Sequence, residues 1–155
     1  MMFNTIIIAV GKLKNDGFRR IYTEYKKRIT PFAKVEVIEV DAEPSISVTN
    51  KLRAQKKEEE RIEKVLEKNK GNIFLLSEDG EQFSSSKLAE RIVKTNEKTI
   101  FIIGGSFGFS DEFKKKYKAC SLSLLTFPHE LARVVLIEQL YRAITINQKE
   151  NKYHK

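Results

Sequence analysis

Thr99-Ile100-Phe101-Ile102-Ile103 runs without a break into Gly104-Gly105-Ser106-Phe107-Gly108-Phe109. An apolar run met at once by two glycines reads as a strand buried on both faces that ends in a sharp turn, the habit of parallel sheets. Working outward, strands and helices alternate. Residues 3–10 (FNTIIIAV) form a second apolar run, residues 35–40 (VEVIEV) alternate, residues 73–76 (IFLL) are short and apolar, and residues 121–125 read as a fifth strand. Between them, Asp16–Ile29 carries Phe18, Ile21, Tyr22, Tyr25 and Ile29 at helical spacing. Lys51–Lys68 follows Asn50, a prospective cap, and precedes Gly71, placed where a C-cap glycine belongs. Ser77-Glu78-Asp79-Gly80 reads as a turn, residues 84–86 open a helix around Leu88, Ala89, Ile92 and Val93, and Ser110 opens a short one over 111–118. A last, mostly apolar helix covers 130–146. Such alternation predicts an α/β fold with a mainly parallel sheet.

The chain has 155 residues, enough for one domain with a core of its own. Hydrophobic residues make up 41%, with seven glycines and three prolines, which argues against a disordered or fibrous chain. The single cysteine, Cys120, excludes an internal disulfide and a cysteine-based zinc site, and its apolar neighbours suggest a packing thiol. Residues 6–10 are the longest apolar run near the start, too short for a membrane span. These features predict a soluble, cytoplasmic protein.

The formal net charge is +8 and is unevenly spread. Residues 11–34 hold eight basic side chains against two acidic ones, and residues 51–70 hold eight against five. The remainder of the chain sums to −1. Acids and bases alternate at helical spacing in 51–70, as on a solvated face. Residues 11–34, with few acids to offset them, suit a polyanion.

In open α/β sheets ligands bind at the carboxyl ends of strands. Three segments leave such ends: 77–80, 104–109 and 126–129. The middle one is neither a dinucleotide fingerprint, which needs glycine at the positions of Ser106 and Phe109, nor a Walker A loop, since no Gly-Lys-Ser/Thr follows. G-x-S-x-G is absent, and the two histidines, His129 and His154, belong to no metal-binding motif. Phe107 and Phe109 suit either ligand stacking or packing. On the last helix Glu138 and Arg142 are an i,i+4 pair, which serves equally as a structural ion pair or as site chemistry.

Three stretches together are more specific. They are Phe101-Ile102-Ile103-Gly104-Gly105-Ser106-Phe107-Gly108-Phe109-Ser110, the run from Ser121 through Thr126-Phe127-Pro128-His129-Glu130-Leu131-Ala132-Arg133 to Ala143, and the terminal Tyr153-His154-Lys155. With Ile8-Ala9-Val10-Gly11-Lys12-Leu13-Lys14 and Glu24-Tyr25-Lys26-Lys27-Arg28, the whole chain resembles the bacterial ribosomal RNA large subunit methyltransferase H family of the SPOUT class. The resemblance implies a SPOUT-type α/β knot, with a C-terminal trefoil knot over about 71–155 in a single domain 1–155. It implies S-adenosylmethionine as cofactor and a homodimer. It further implies methylation of N3 of a pseudouridine in 23S rRNA, on the assembled 70S ribosome.

Carried over position by position, the cofactor site falls on Leu76, Gly104, Leu122, Ser123, Leu124, Leu125, Thr126 and Phe127. The catalytic and RNA-facing positions fall on Glu138, Arg142, Tyr153 and His154, with His129 and Arg133 as weaker candidates. A sulfonium already activates the methyl group, so the reaction calls for no metal; it calls for orientation and removal of the N3–H proton. His154 or Glu138 would take that proton, Arg142 would steady negative charge, and Tyr153 would order the tail or stack on the base.

Overall fold

The computed structural model describes residues 1–44 and 50–148. The described elements run, in chain order, β1 (Asn4–Val10), α1 (Asp16–Ile29), β2 (Lys34–Val40), α2 (Lys51–Lys68), β3 (Asn72–Gln82), α3 (Ser85–Val93), β4 (Thr99–Ile103), α4 (Asp111–Lys116), β5 (Lys118–Ser121) and α5 (His129–Asn147). All five strands join one sheet in the order β2-β1-β4-β3-β5, and every pairing is parallel.

Successive side chains of a strand point to opposite faces, so the isoleucine runs serve two cores at once. Ile7, Ala9, Phe101, Ile103 and Phe74 face a layer made by α1, α3 and α5, where they meet Ile29, Leu88, Ala89, Ile92, Leu136, Ile137 and Leu140. Ile6, Ile8, Val10, Ile100, Ile102 and Leu75 face the opposite layer and pack on Ile62 and Leu66 of α2 and on Phe113 of α4. Full burial of one such aliphatic side chain is worth about 1.5–3 kcal/mol, which is why the central strands need no polar alternation. Local signals set the helix ends. Asn15 Oδ1 accepts from Phe18 N at 3.0 Å and Ser110 Oγ from Phe113 N at 3.2 Å. Lys26, Lys27 and Arg28 fill the last turn of α1, where cations favour the helix dipole.

Four local expectations are corrected. Gly71 is not an αL cap: Asn69 ends α2 in an extended conformation, and a Cβ on Gly71 would run into the carbonyl oxygen of Lys98. Glycine is required there by close backbone approach rather than by backbone sign. Asn50 makes no side-chain capping bond to α2. Residues 77–80, expected as a turn, lie within the long β3, but Leu76 and Glu81 both register on Cys120, so the four residues between them are looped out of the ladder. Finally, β5 precedes its expected place at 121–125. Ser121 Oγ donates to Ser123 O at 2.8 Å and Ser123 Oγ accepts from Leu125 N at 3.0 Å. Such local side-chain bonds draw the backbone out of the ladder, leaving Leu124 and Leu125 at 75% and 71% exposure.

Candidate functional site

A cleft of about 740 Å³ opens at the carboxyl ends of β3 and β4. Its size suits a small organic ligand. Three segments far apart in sequence converge on it: Leu76 to Glu78, Ile103 to Phe109, and the loop that carries Leu122, Ser123, Leu125, Thr126 and Phe127. His129 and Ala132 of α5 close one side, Lys51 and Gln55 of α2 another. The carboxyl-end placement is the one expected for a parallel sheet. Of the eight positions expected around a cofactor, seven line this cleft; Leu124 instead points outward to solvent.

The glycine loop is braced from beneath. A Cβ on Gly104 would stand 2.9 Å from the ring of Phe109, so the chain lies too close to that ring to carry a side chain. Phe107 and Phe109 both border the cleft, but Phe109 is buried and stacked on Phe113 at 5.5 Å, which gives it a packing role as well. Sequence reasoning missed the polar support that α2 supplies. Gln55 Nε2 donates to Phe107 O at 2.7 Å. Glu59 accepts from Ser110 N at 2.7 Å and from Ser110 Oγ at 2.6 Å, both groups being buried. Glu58 Oε2 accepts from Glu43 N at 2.9 Å, while its buried Oε1 has no hydrogen-bond partner among the described residues and lies 3.6 Å from where a Gly105 Cβ would sit. Burial pushes the Glu58 carboxyl above its ordinary range. A signal for this was present: Ala54, Glu58, Ile62 and Leu66 recur every four residues, so a carboxyl group occupies a core position of the helix.

The first turns of α5 are stitched to the loop after β1. Glu130 Oε1 accepts from the amides of Lys14 and Asn15, and these bonds, Asn15 foremost, hold its carboxyl below the usual range. Arg133, 3% exposed, pairs with Glu39 at 2.6 Å and donates to Gly11 O at 3.0 Å, so it is committed to the fold. His129 alone of the weaker candidates borders the cleft.

Further along α5 lies a separate polar cluster. Arg142 Nη2 and Nε donate to Glu138 Oε1 at 2.6 and 3.0 Å, Gln139 Nε2 donates to Glu138 Oε2 at 2.7 Å, and Ser85 Oγ donates to Gln139 Oε1 at 2.7 Å. Both oxygens of Glu138 are engaged, and the chain of bonds holds the Arg142 guanidinium in one orientation. Glu138 is six residues beyond Ala132, about 9 Å along the helix axis, so within one chain the pair and the cleft are distinct. Tyr153 and His154 lie outside the described residues. Among the described residues no group of three or more His, Cys, Asp or Glu side chains is gathered for a metal, and no helix is long and apolar enough to cross a membrane.

Comparison with known proteins agrees with this arrangement. The family model described as predicted SPOUT methyltransferase matches residues 3–154. A Ruminiclostridium cellulolyticum protein named ribosomal RNA large subunit methyltransferase H is 43% identical, over 96% of this chain and 98% of its own length. One of the same name from Geotalea daltonii is 38% identical, over 96% and 97%. A Legionella pneumophila methyltransferase, solved with bound SAM, shares the fold at a TM-score of 0.50 and 11% identity, over 92% of this chain and 67% of that one. A five-stranded parallel sheet, a cleft at its carboxyl edge and full-length similarity thus lead to one conclusion: the chain belongs to the SPOUT methyltransferases, in the ribosomal RNA large subunit methyltransferase H family.

Proposed function

We propose that this protein uses S-adenosylmethionine to methylate N3 of a pseudouridine in 23S rRNA, acting in the cytoplasm on the assembled 70S ribosome. The observation that carries the reading is the convergence of three strand-end segments on one cleft in a chain of this family. The residues present fit the cofactor. Glycines at 104 and 105 let the backbone form the cleft wall, and the loop carrying Leu122, Ser123, Leu125, Thr126 and Phe127 runs outside helix and strand, with main-chain donors and acceptors for an adenosine. When bound, S-adenosylmethionine supplies a methyl group activated by a sulfonium. Leu76, Gly104, Leu122, Ser123, Leu125, Thr126 and Phe127 would hold it with its methyl group toward N3 of the base, and transfer of the methyl group from sulfur to N3 would release the N3–H proton to a base.

In this reading Glu138 orients Arg142, whose guanidinium steadies the anionic base or a neighbouring phosphate. Because both Glu138 oxygens are already engaged, His154 is the better proton acceptor, with Tyr153 ordering the tail or stacking on the base. The chain forms one domain over 1–155, knotted over about 71–155, and works as a homodimer. Ile21 of α1 is 45% exposed, one turn before Tyr25, whose ring meets that of Tyr141 at 5.7 Å.

The test is to incubate the protein and labelled S-adenosylmethionine with 70S ribosomes, 50S subunits, bare rRNA and tRNA, then map the product. Label at a 23S pseudouridine in the 70S sample is expected. Label on tRNA alone, or on nothing, would overturn the reading.

A further inference from the structure

A second groove, of about 430 Å³, lies at the opposite end of the sheet from the cofactor cleft, against the amino ends of β3 and β5 and the last turns of α3. Asn72 at its floor is four residues before Leu76 on β3, roughly 13 Å away along the strand. Four cations line it, Lys87, Arg91, Lys94 and Lys118, against one carboxylate, Glu90. That imbalance is local and sits in a part of the chain whose charges nearly cancel by segment; two separated stretches, 87–94 and Lys118, contribute to it.

The cations are not equivalent. Lys94 and Lys87 pair with Glu90 at 3.1 and 3.6 Å. Arg91 and Lys118 are held over aromatic faces instead, Arg91 5.1 Å from the Phe83 ring centroid and Lys118 5.8 Å from that of Phe74. Rings fix the position of these two charges without neutralising them. Among the described residues, the groove therefore presents two ordered cations without an ion-pair partner beside two that have one. A polyanion that enters gains contacts with Arg91 and Lys118 without first breaking an ion pair.

We propose that this groove is an anchoring site for RNA phosphates outside the catalytic cleft. The proposal rests on the RNA-methyltransferase reading above and adds to it a second point of contact. Arginine suits a phosphate through its paired donors and lysine as a point charge. Two anchors at opposite ends of one sheet fix the orientation of the protein on its RNA, where a single patch would leave rotation about the contact.

The test is the salt dependence of binding to 70S ribosomes by Arg91→Gln/Lys118→Gln. A second variant, Lys94→Gln/Lys118→Gln, leaves Arg91 on Phe83. Each phosphate contact on single-stranded RNA contributes about 0.7 to the slope of log affinity against log salt. Losing two lowers the slope by about 1.4, which makes binding roughly 25-fold weaker at ~0.1 M salt for chains that bind equally at ~1 M. The first variant is expected to show this in full and the second at least half of the slope change, with S-adenosylmethionine affinity unchanged in both. Ultraviolet crosslinks from the groove should map to RNA. Unchanged slopes in both variants, or crosslinks to ribosomal protein only, would overturn the site while leaving the proposed function standing. Failure of the unaltered protein to bind ribosomes would bring down that function and this site with it.

Discussion

Glu59→Ala tests whether α2 holds the glycine loop from below. Glu59 and Ser110 are 7% and 4% exposed, and two hydrogen bonds, from Ser110 N at 2.7 Å and Ser110 Oγ at 2.6 Å, end on the carboxylate. Removing it strands two buried donors at about 1–3 kcal/mol each, so a loss of about 4 kcal/mol is the working value. That is a large share of the 5–15 kcal/mol by which such domains are stable, and near this chain length it corresponds to a fall in Tm of roughly 8–16 °C. Glu59→Gln keeps one acceptor oxygen and should lose about half as much. Urea unfolding measures both, the midpoint moving while the slope stays constant. Because Ser110 ends the loop that lines the cleft, Glu59→Ala should also weaken S-adenosylmethionine binding about tenfold, or about 1.4 kcal/mol, by calorimetry. A folded Glu59→Ala protein that loses less than ~1 kcal/mol would refute the bracing argument, since the buried donors would then have found partners elsewhere.

Gly104→Val puts a branched side chain against the Phe109 ring, where even a Cβ would stand at 2.9 Å; binding of S-adenosylmethionine should fall at least tenfold, about 1.4 kcal/mol, and unchanged binding would show that the loop yields. Mixing Gly104→Val chains with Arg142→Ala chains should restore methyl transfer if the cleft and the arginine of one site come from different subunits, and no recovery would assign both to one chain. Neutralising Arg20, Lys26 and Lys27 should weaken ribosome binding with the cofactor affinity unchanged; Arg19 is left intact because it donates to Leu13 O at 3.1 Å and thereby supports the turn into α1. Glu58, facing Glu43, Glu59 and Arg61, has its carboxyl raised above 4.5 by burial, so its contribution to stability is present below pH 4.5 and is lost as pH rises through the folded value. The urea midpoint of the unaltered protein should therefore fall from pH 5 to pH 8 more than that of Glu58→Gln, and equal slopes would refute it.

The sheet was legible because its central strands are apolar on both faces: residues 3–10 and 99–103 have no other use in a chain of this kind. Helix bounds followed where a side chain caps, as at Asn15 and Ser110. The errors fall where backbone meets backbone or where a serine competes with the ladder. Gly71 is glycine because of Lys98, which no local pattern reveals, and β5 is displaced by bonds of Ser121 and Ser123. The loops of the cleft were legible from strand ends, but their support was not. Gln55, Glu58 and Glu59 sit in a helix whose charge pattern reads as solvated, and only their phase relative to Ile62 and Leu66 marks them as inward. The basic groove was hidden for a related reason. Summing charge along a segment averages over all sides of the molecule, whereas Lys87, Arg91, Lys94 and Lys118 come from two segments and meet on one side only after folding.

The layout of α5 constrains how a complete site is assembled. An α-helix advances about 1.5 Å per residue, so Arg142 stands roughly 15 Å along the axis from Ala132 at the cleft, and its guanidinium is held on Glu138, still about 9 Å from Ala132 along the axis. A methyl transfer needs its donor carbon within about 3–3.5 Å of the attacking atom, and a group that steadies the base has to lie close to that point. If Arg142 is the group that steadies the base, as proposed above, one chain offers a cleft without its arginine and an arginine without its cleft. A second copy running antiparallel along α1 and α5 would set the arginine of each chain toward the cleft of the other, across the exposed Ile21. Dimerisation would then be part of catalysis as well as of stability: weakening the contact should abolish turnover while each folded chain still binds the cofactor.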